Sequence, residues 1–353
     1  MRKSFFALLL TVIMLVTLMS PAKAKQYNLD TIISETASYI TTKVKEPKIG
    51  SIGGEWAILG LARSEVQVDK NYYDCYYKYL EQYLKESNGV LHKRKYTEYS
   101  RVILAVTAIG KNPCNVGGYN LLTALGDFEK TVWQGINGPV WALIALDSGS
   151  YSIPENKDAK VQATREMYLD YILERQNLDG GWSLLENSPS EIDITAMALQ
   201  ALSNYRHIEK VNITVEKALE FLKNSQNENG GFSSLGSETC ESSAQVLTAL
   251  CMLGIDYNSQ EFTKNGKSVL DDILSYYKGK GFSHIKNGED NLMATEQAFY
   301  SLVALERFEN GKQNLYTMIK KEDFVKNAYV DILKQNMLKI IDLLKRVEKI
   351  WSF

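Results

Sequence analysis

Three aromatic turns recur at a fixed interval of fifty residues, and nothing else in the chain restricts its fold so strongly. The stretches "QNLDGGWS" (176–183), "QNENGGFS" (226–233) and the degenerate "YKGKGFS" (277–283) place Trp182, Phe232 and Phe282 at equal spacing. A strict period of this length marks stacked supersecondary units, none of which can bury its apolar face alone. Each unit joins an amphipathic helix with charged faces, as in "VEKALEFLKNSQ", to a second helix that is almost wholly small and apolar, as in "SAQVLTALCMLG". A helix of the second kind has no face suited to water and must be buried on all sides.

Six segments of the apolar kind occur, over residues 54–62, 99–110, 138–147, 193–202, 242–254 and 294–305. A polar amphipathic segment precedes each, near residues 28–44, 70–87, 118–130, 159–175, 213–225 and 266–278. The alternation predicts an all-α protein, an α/α toroid with six inner and six outer helices over residues 25–319. An open superhelical solenoid of the same pairs shares this period, because a period alone does not show closure.

Residues 1–24 read as a Sec-type signal peptide: Arg2 and Lys3, an apolar run from Phe5 to Met19, then Ala22-Lys23-Ala24. An uncleaved anchor is the alternative, although the run is shorter than the ~20 residues a membrane span needs. The expectation is a secreted or extracellular protein, with cell-surface association open. The formal charge of -2 becomes -5 once Arg2, Lys3 and Lys23 are removed. A mildly acidic chain without a long Lys/Arg run argues against a nucleic-acid partner. The cysteines Cys75, Cys114, Cys240 and Cys251 contain no CxxC pair. Cys240 and Cys251 fall in one helix about 16 Å apart, too far to bridge.

The motif Gln176-x-x-x-Gly180-x-Trp182, with its variant Gln226-x-x-x-Gly230-x-Phe232, resembles the QxxxGxW repeat of squalene cyclases, and "EIDITAM" (191–197) resembles the DxDDTAM region of class II terpene cyclases. Over residues 45–316 the chain is similar to exported bacterial prenyltransferase/squalene-oxidase-repeat proteins, a group also similar to cobalamin-carrier toroids. The resemblance implies the toroid; it implies no single function, because the same fold hosts cyclases, protein prenyltransferases, corrinoid carriers and thioester domains. Asp193 matches the cyclase general acid, which would make an enzyme of this kind a cyclase-like isomerase or lyase, but Glu191 and Ile194 stand where that motif has Asp. Asp193 also suits a helix N-cap or first turn. In "ETCESSAQ", Glu238 and Cys240 are similar to two zinc ligands of the protein prenyltransferases. A zinc site needs a third ligand, and "NLMATEQAF" has no His where that family supplies one, so no metal is expected. At the thioester position the chain has "IGGEW", without the Cys or Gln of that chemistry.

A pocket survives these exclusions. The N-terminal ends of the inner helices should converge on one mouth, carrying Glu55, Trp56, Glu98, Tyr99, Arg101, Trp141, Asp193, Glu241 and Glu296. Carboxylates there also favour the helix dipole, and the tryptophans also suit a core. Together around one axis they predict a non-catalytic binding site for a small-molecule, amphipathic or cationic ligand, a corrinoid being one possibility. His92, His207 and His284 fall in connecting segments and read as surface residues. After the ring, residues 320–353 carry apolar residues at three/four spacing from Tyr329 to Trp351, which predicts an amphipathic helix. Such a helix can pack on the toroid, self-associate through residues 325–351, or lie on a membrane surface with its lysines.

Overall fold

The computed structural model describes residues 28–319. The leader and the C-terminal helix expected at 320–353 lie outside the described residues. Among the described residues, twelve α-helices alternate between an outer and an inner layer. The outer set is α1 (Leu29–Lys43), α3 (Lys70–Glu86), α5 (Phe128–Val132), α7 (Arg165–Leu173), α9 (Glu209–Ser225) and α11 (Val269–Ser275). The inner set is α2 (Trp56–Arg63), α4 (Thr97–Ala108), α6 (Asn137–Ser148), α8 (Ile192–Leu202), α10 (Cys240–Leu253) and α12 (Leu292–Glu309). All six apolar segments are helices, and each inner helix packs on the next.

The ring closes where α12 packs on α2. A Cβ on Gly60 of α2 would lie 2.8 Å from the Phe299 ring of α12, so the seam depends on a residue without a side chain. This closure excludes the open solenoid. The expected third outer helix over 118–130 does not form. Asn120 instead caps a 3-10 helix over Leu121–Gly126, and Asp127 starts the five-residue α5 by accepting from the Lys130 amide at 3.1 Å. Gly117 and Gly118 both have positive φ, which breaks the helical run that the apolar spacing suggested. The outer α7 and α11 are likewise shorter than their patterns.

Side-chain caps set most helix starts: Asn28 for α1, Asp69 for α3, Thr164 for α7, Thr239 for α10 and Asn291 for α12, with a Ser268/Asp271 capping box on α11. The strands are two short hairpins, Ser233–Ser234 with Ser237–Glu238 (β1–β2) and Thr263–Lys264 with Lys267–Ser268 (β3–β4). No described helix is long and apolar enough to cross a membrane.

The repeated turns do the same mechanical work each time. Trp182, Phe232 and Phe282 are fully buried, and their amides donate to Thr195, Ser243 and Thr295 on the second turn of the following inner helix. Gln176 Nε2 donates to Gly180 O and, across to the next outer helix, Thr214 O, both at 2.8 Å. Gln226 repeats this with Gly230 O and Phe262 O. Gly180 and Gly230 have φ of +92° and +85°, and a Cβ on either would strike a carbonyl of the neighbouring outer segment at 2.5–2.6 Å. The motif is therefore a clamp between adjacent units. In the third turn Tyr276 replaces the glutamine, and the loop tightens to Lys278 N donating to Gly281 O.

Candidate functional site

Outer-to-inner connections all lie on one rim, so the N-terminal ends of the inner helices surround one mouth. Below it is a cavity of about 550 Å³ to which all six inner helices contribute: Trp56, Arg101, Trp141, Asp193, Gln245 and Tyr300 are one lining residue from each. The opposite end of the ring is closed by the segment after α12. Arg63 at the end of α2 donates to the carbonyls of Asn314, Leu315 and Thr317, and Met318 N donates to Ser148 O at the end of α6. Because α12 and α2 lie opposite α6 and α8 in a ring of six, the segment crosses the axis. Its buried Tyr316 meets the edge of Trp141 at 6.1 Å and donates to Gln200 Oε1, making the cavity blind.

The floor is aromatic and amide-rich. Trp56 lies 4.9 Å from Trp141 and 5.7 Å from Tyr300, centroid to centroid. Gln245 Nε2 donates to Tyr300 Oη and Gln297 Oε1, while Gln200 Nε2 donates to Gln245 Oε1. These amides fix one another and hold the rings in place.

Five of the nine expected residues line the cavity: Trp56, Arg101, Trp141, Asp193 and Glu241. Glu55 lies behind it, fully buried, accepting from Arg101 Nε at 3.0 Å, Tyr76 Oη at 3.1 Å and the Gly50 amide. Burial pushes the Glu55 carboxyl up, and Arg101 and these donors pull it back. Glu98 holds the other side of Arg101 at 2.6 Å. Burial opposes the Arg101 charge, but the two glutamates outweigh it and raise its pKa. Tyr99 turns away from the cavity, its hydroxyl accepting from Leu91 N. Glu296 is buried against the turn before α2, accepting from Gly53 N at 2.8 Å. Burial, with Glu55 nearby, pushes it up to about 8.

Asp193 is in the first turn of α8 but caps nothing. Glu191 is the N-cap residue, and its carboxylate accepts from Leu184 N. Asp193 Oδ1 is buried without a hydrogen-bond partner, as is Asn137 Oδ1, also in the cavity wall. Burial raises the Asp193 pKa, Ser242 and Ser234 pull it back, and Glu191 adds to the rise. Glu241 is raised by burial and, in smaller part, by Asp193, against the pull of His284, whose Nδ1 lies 2.9 Å away. His284 is exposed in its connection, as expected, and also lines the mouth of the cavity. Its position in a connection hid it, although the two-residue offset from Phe282 was visible. Gln134, Asn137, Gln245 and Gln297 were also missed, since amides carry no periodic signal.

The two residues similar to prenyltransferase zinc ligands have other surroundings here. Glu238 is bound by Lys286 at 2.7 Å and by Asn229, and Cys240 is a fully buried thiol pushed well up by burial. Among the described residues no group of three or more His, Cys, Asp or Glu could hold a metal ion. All four cysteines are free. A second, larger hollow of about 1150 Å³ lies outside the ring beside the first aromatic turn, lined by Trp133, Arg175 and Leu184 among others. It gathers none of the inner-helix side chains.

A closed ring of six helix pairs around a blind axial cavity defines an α/α toroid. Residues 136–263, about a third of the chain, match the family model of the prenyltransferase alpha-alpha toroid domain. Its fold is similar to that of Candida albicans protein geranylgeranyltransferase-I complexed with GGPP (TM-score 0.55, 14% identity, 83% of this chain and 97% of that chain). It is also similar to a type II terpene cyclase from Scytonema (TM-score 0.51, 13% identity, 80% and 97%). The unsaturated glucuronyl hydrolase of Bacillus sp. GL1, responsible for the degradation of glycosaminoglycan, is a third similar structure (TM-score 0.53, 10% identity, 82% and 98%). No curated protein matches the chain in sequence.

Proposed function

We propose that the chain is an exported toroid that captures a small amphipathic ligand with a cationic head in its axial cavity, without turning it over. The observation that carries this is the pair of buried acceptors, Asp193 Oδ1 and Asn137 Oδ1, that lack donors in the cavity wall. A buried acceptor left unpaired costs about 1–3 kcal/mol, which a ligand N–H or cationic head would recover. Arg101 is already neutralised by Glu55 and Glu98, so Asp193 and Glu241 leave the cavity acidic. The faces of Trp56, Trp141 and Tyr300 provide electron-rich surface for a cation's apolar body.

Titration calorimetry with benzyltrimethylammonium should show binding to the wild type, weakened about ten-fold by Asp193→Asn or Trp56→Ala. Both carboxyls are raised, so affinity should increase as pH rises and they ionise. Equal affinity for the neutral isostere neopentylbenzene, or binding untouched by both substitutions, would contradict the proposal.

A cyclase is the second reading, favoured by one observation: Asp193 lines the axial cavity with one carboxylate oxygen buried and its pKa raised by burial, which keeps it protonated as a general acid must be. Against it, the amide oxygens and His284 around the cavity would intercept a carbocation and the Arg101 cation would repel it, whereas such a cation needs an apolar, water-free enclosure. Cyclised product formed from an isoprenoid by the wild type and absent with Asp193→Asn would establish the cyclase instead.

A further inference from the structure

Exposed apolar side chains gather on the mouth rim. Eight of the eleven large hydrophobic residues exposed among the described residues lie in outer-to-inner connections. Every one of the six connections supplies at least one: Ile52, Val90, Trp133, Leu185, Leu235 and Ile285, between 39% and 86% exposed. Leu185, Leu235 and Ile285 repeat the fifty-residue period, each three positions after the buried aromatic of its turn. Ile52, Trp133 and Ile285 adjoin the cavity-lining Ser51, Gln134 and His284, and Leu235 lines the cavity itself, so the apolar set encircles the opening. Leu235 keeps its place at a φ of +50°, a backbone conformation that disfavours leucine. Scattered single exposures are ordinary, but one per repeat unit around one opening is an interface pattern.

Charge on the same rim is split into two arcs. Connections 276–291, 44–55 and 87–96, contiguous through the α12–α2 seam, hold eight Lys and Arg against three exposed carboxylates, with Lys93, Arg94 and Lys95 at the centre of the basic arc's far end. The remaining connections, 133–136, 174–191 and 226–239, hold one Arg against four exposed carboxylates, Glu174, Asp179, Glu186 and Glu228. Arg94 stacks at 4.0 Å on Trp133, where the arcs meet. An anionic bilayer would be repelled by half of this rim. A second copy fits all of it: a two-fold axis in the rim plane, along the boundary between the arcs, lays the basic arc of each copy on the acidic arc of the other.

We propose that the toroid forms a face-to-face dimer through its mouth rim, burying the apolar ring and closing two cavities into one chamber. The dimer does not depend on the identity of the cavity's ligand, and with the mouth as the one entrance a ligand enters while the copies are apart. Sedimentation velocity of the full chain tests it with two charge reversals on connections that the two-fold brings face to face, Lys45→Glu/Lys48→Glu and Glu174→Lys/Glu186→Lys, whose folding is checked by their melts. The wild type should sediment as a dimer that loosens with salt. Each reversed variant alone should lose at least ten-fold in dimer affinity, and an equimolar mixture of the two should recover the dimer. A wild type that is monomeric at every concentration would overturn the proposal. So would a dimer unaffected by both reversals and by Leu235→Ser/Ile285→Ser, which would place association elsewhere. Binding of monomers to phosphatidylserine-containing vesicles, with no dimer in solution, would assign the rim to a lipid surface and also overturn it.

Discussion

Glu296 shows how a single residue's environment decides its chemistry. Its position near the start of the last inner helix suggested the mouth, yet the buried turn of Gly53 and Gly54 takes its carboxyl out of the cavity and into the wall. The folded pKa is pushed up to about 8 from an ordinary value of 4.5. Between those values the native state holds a proton that the unfolded chain has released, so stability should fall as pH rises from about 4.5 to about 8. Glu296→Gln should flatten that slope and stabilise the fold at pH 8 by roughly 4 kcal/mol, read from urea unfolding across the pH range. An unchanged slope would show that the carboxyl ionises freely. Residue type and position identified Trp56, Arg101, Trp141, Asp193 and Glu241 as cavity residues. They could not separate these from Glu55, Glu98, Tyr99 and Glu296, because helical phase near a helix start depends on cap geometry that spacing does not encode.

At the scale of the element, the Gly-Gly aromatic turn was readable because three constraints coincide: a left-handed glycine, a buried ring and a glutamine at fixed offset. The partners of that glutamine were not readable, since they belong to the next unit. Gln226→Ala would leave the carbonyls of Gly230 and Phe262 without their donor, and should destabilise the protein by about 2–3 kcal/mol. Gln176→Ala, in a less buried turn, should cost less. Denaturant titration of both variants checks the order, and a loss under 0.5 kcal/mol for Gln226→Ala would remove the clamp role. The outer helix misplaced at 118–130 fails for a related reason: the Gly117-Gly118 pair turns the chain, and periodicity alone gives no weight to a break.

At the scale of the whole molecule, the alternation of apolar and amphipathic segments was enough to specify two concentric layers, because a helix apolar on every side has only the inner position open to it. Closure was not contained in the pattern; it rests on Gly60 meeting Phe299 and on the plug at Leu315 and Tyr316. The plug also turns a ring into a vessel with one entrance, which favours capture of a ligand over passage through a channel. Native mass spectrometry of the protein purified from its own host tests that claim most directly. The account predicts an intact small molecule, cationic or corrinoid, bound one to one and lost with Asp193→Asn. A cyclised isoprenoid in its place, formed by the wild type and absent from the variant, would contradict it.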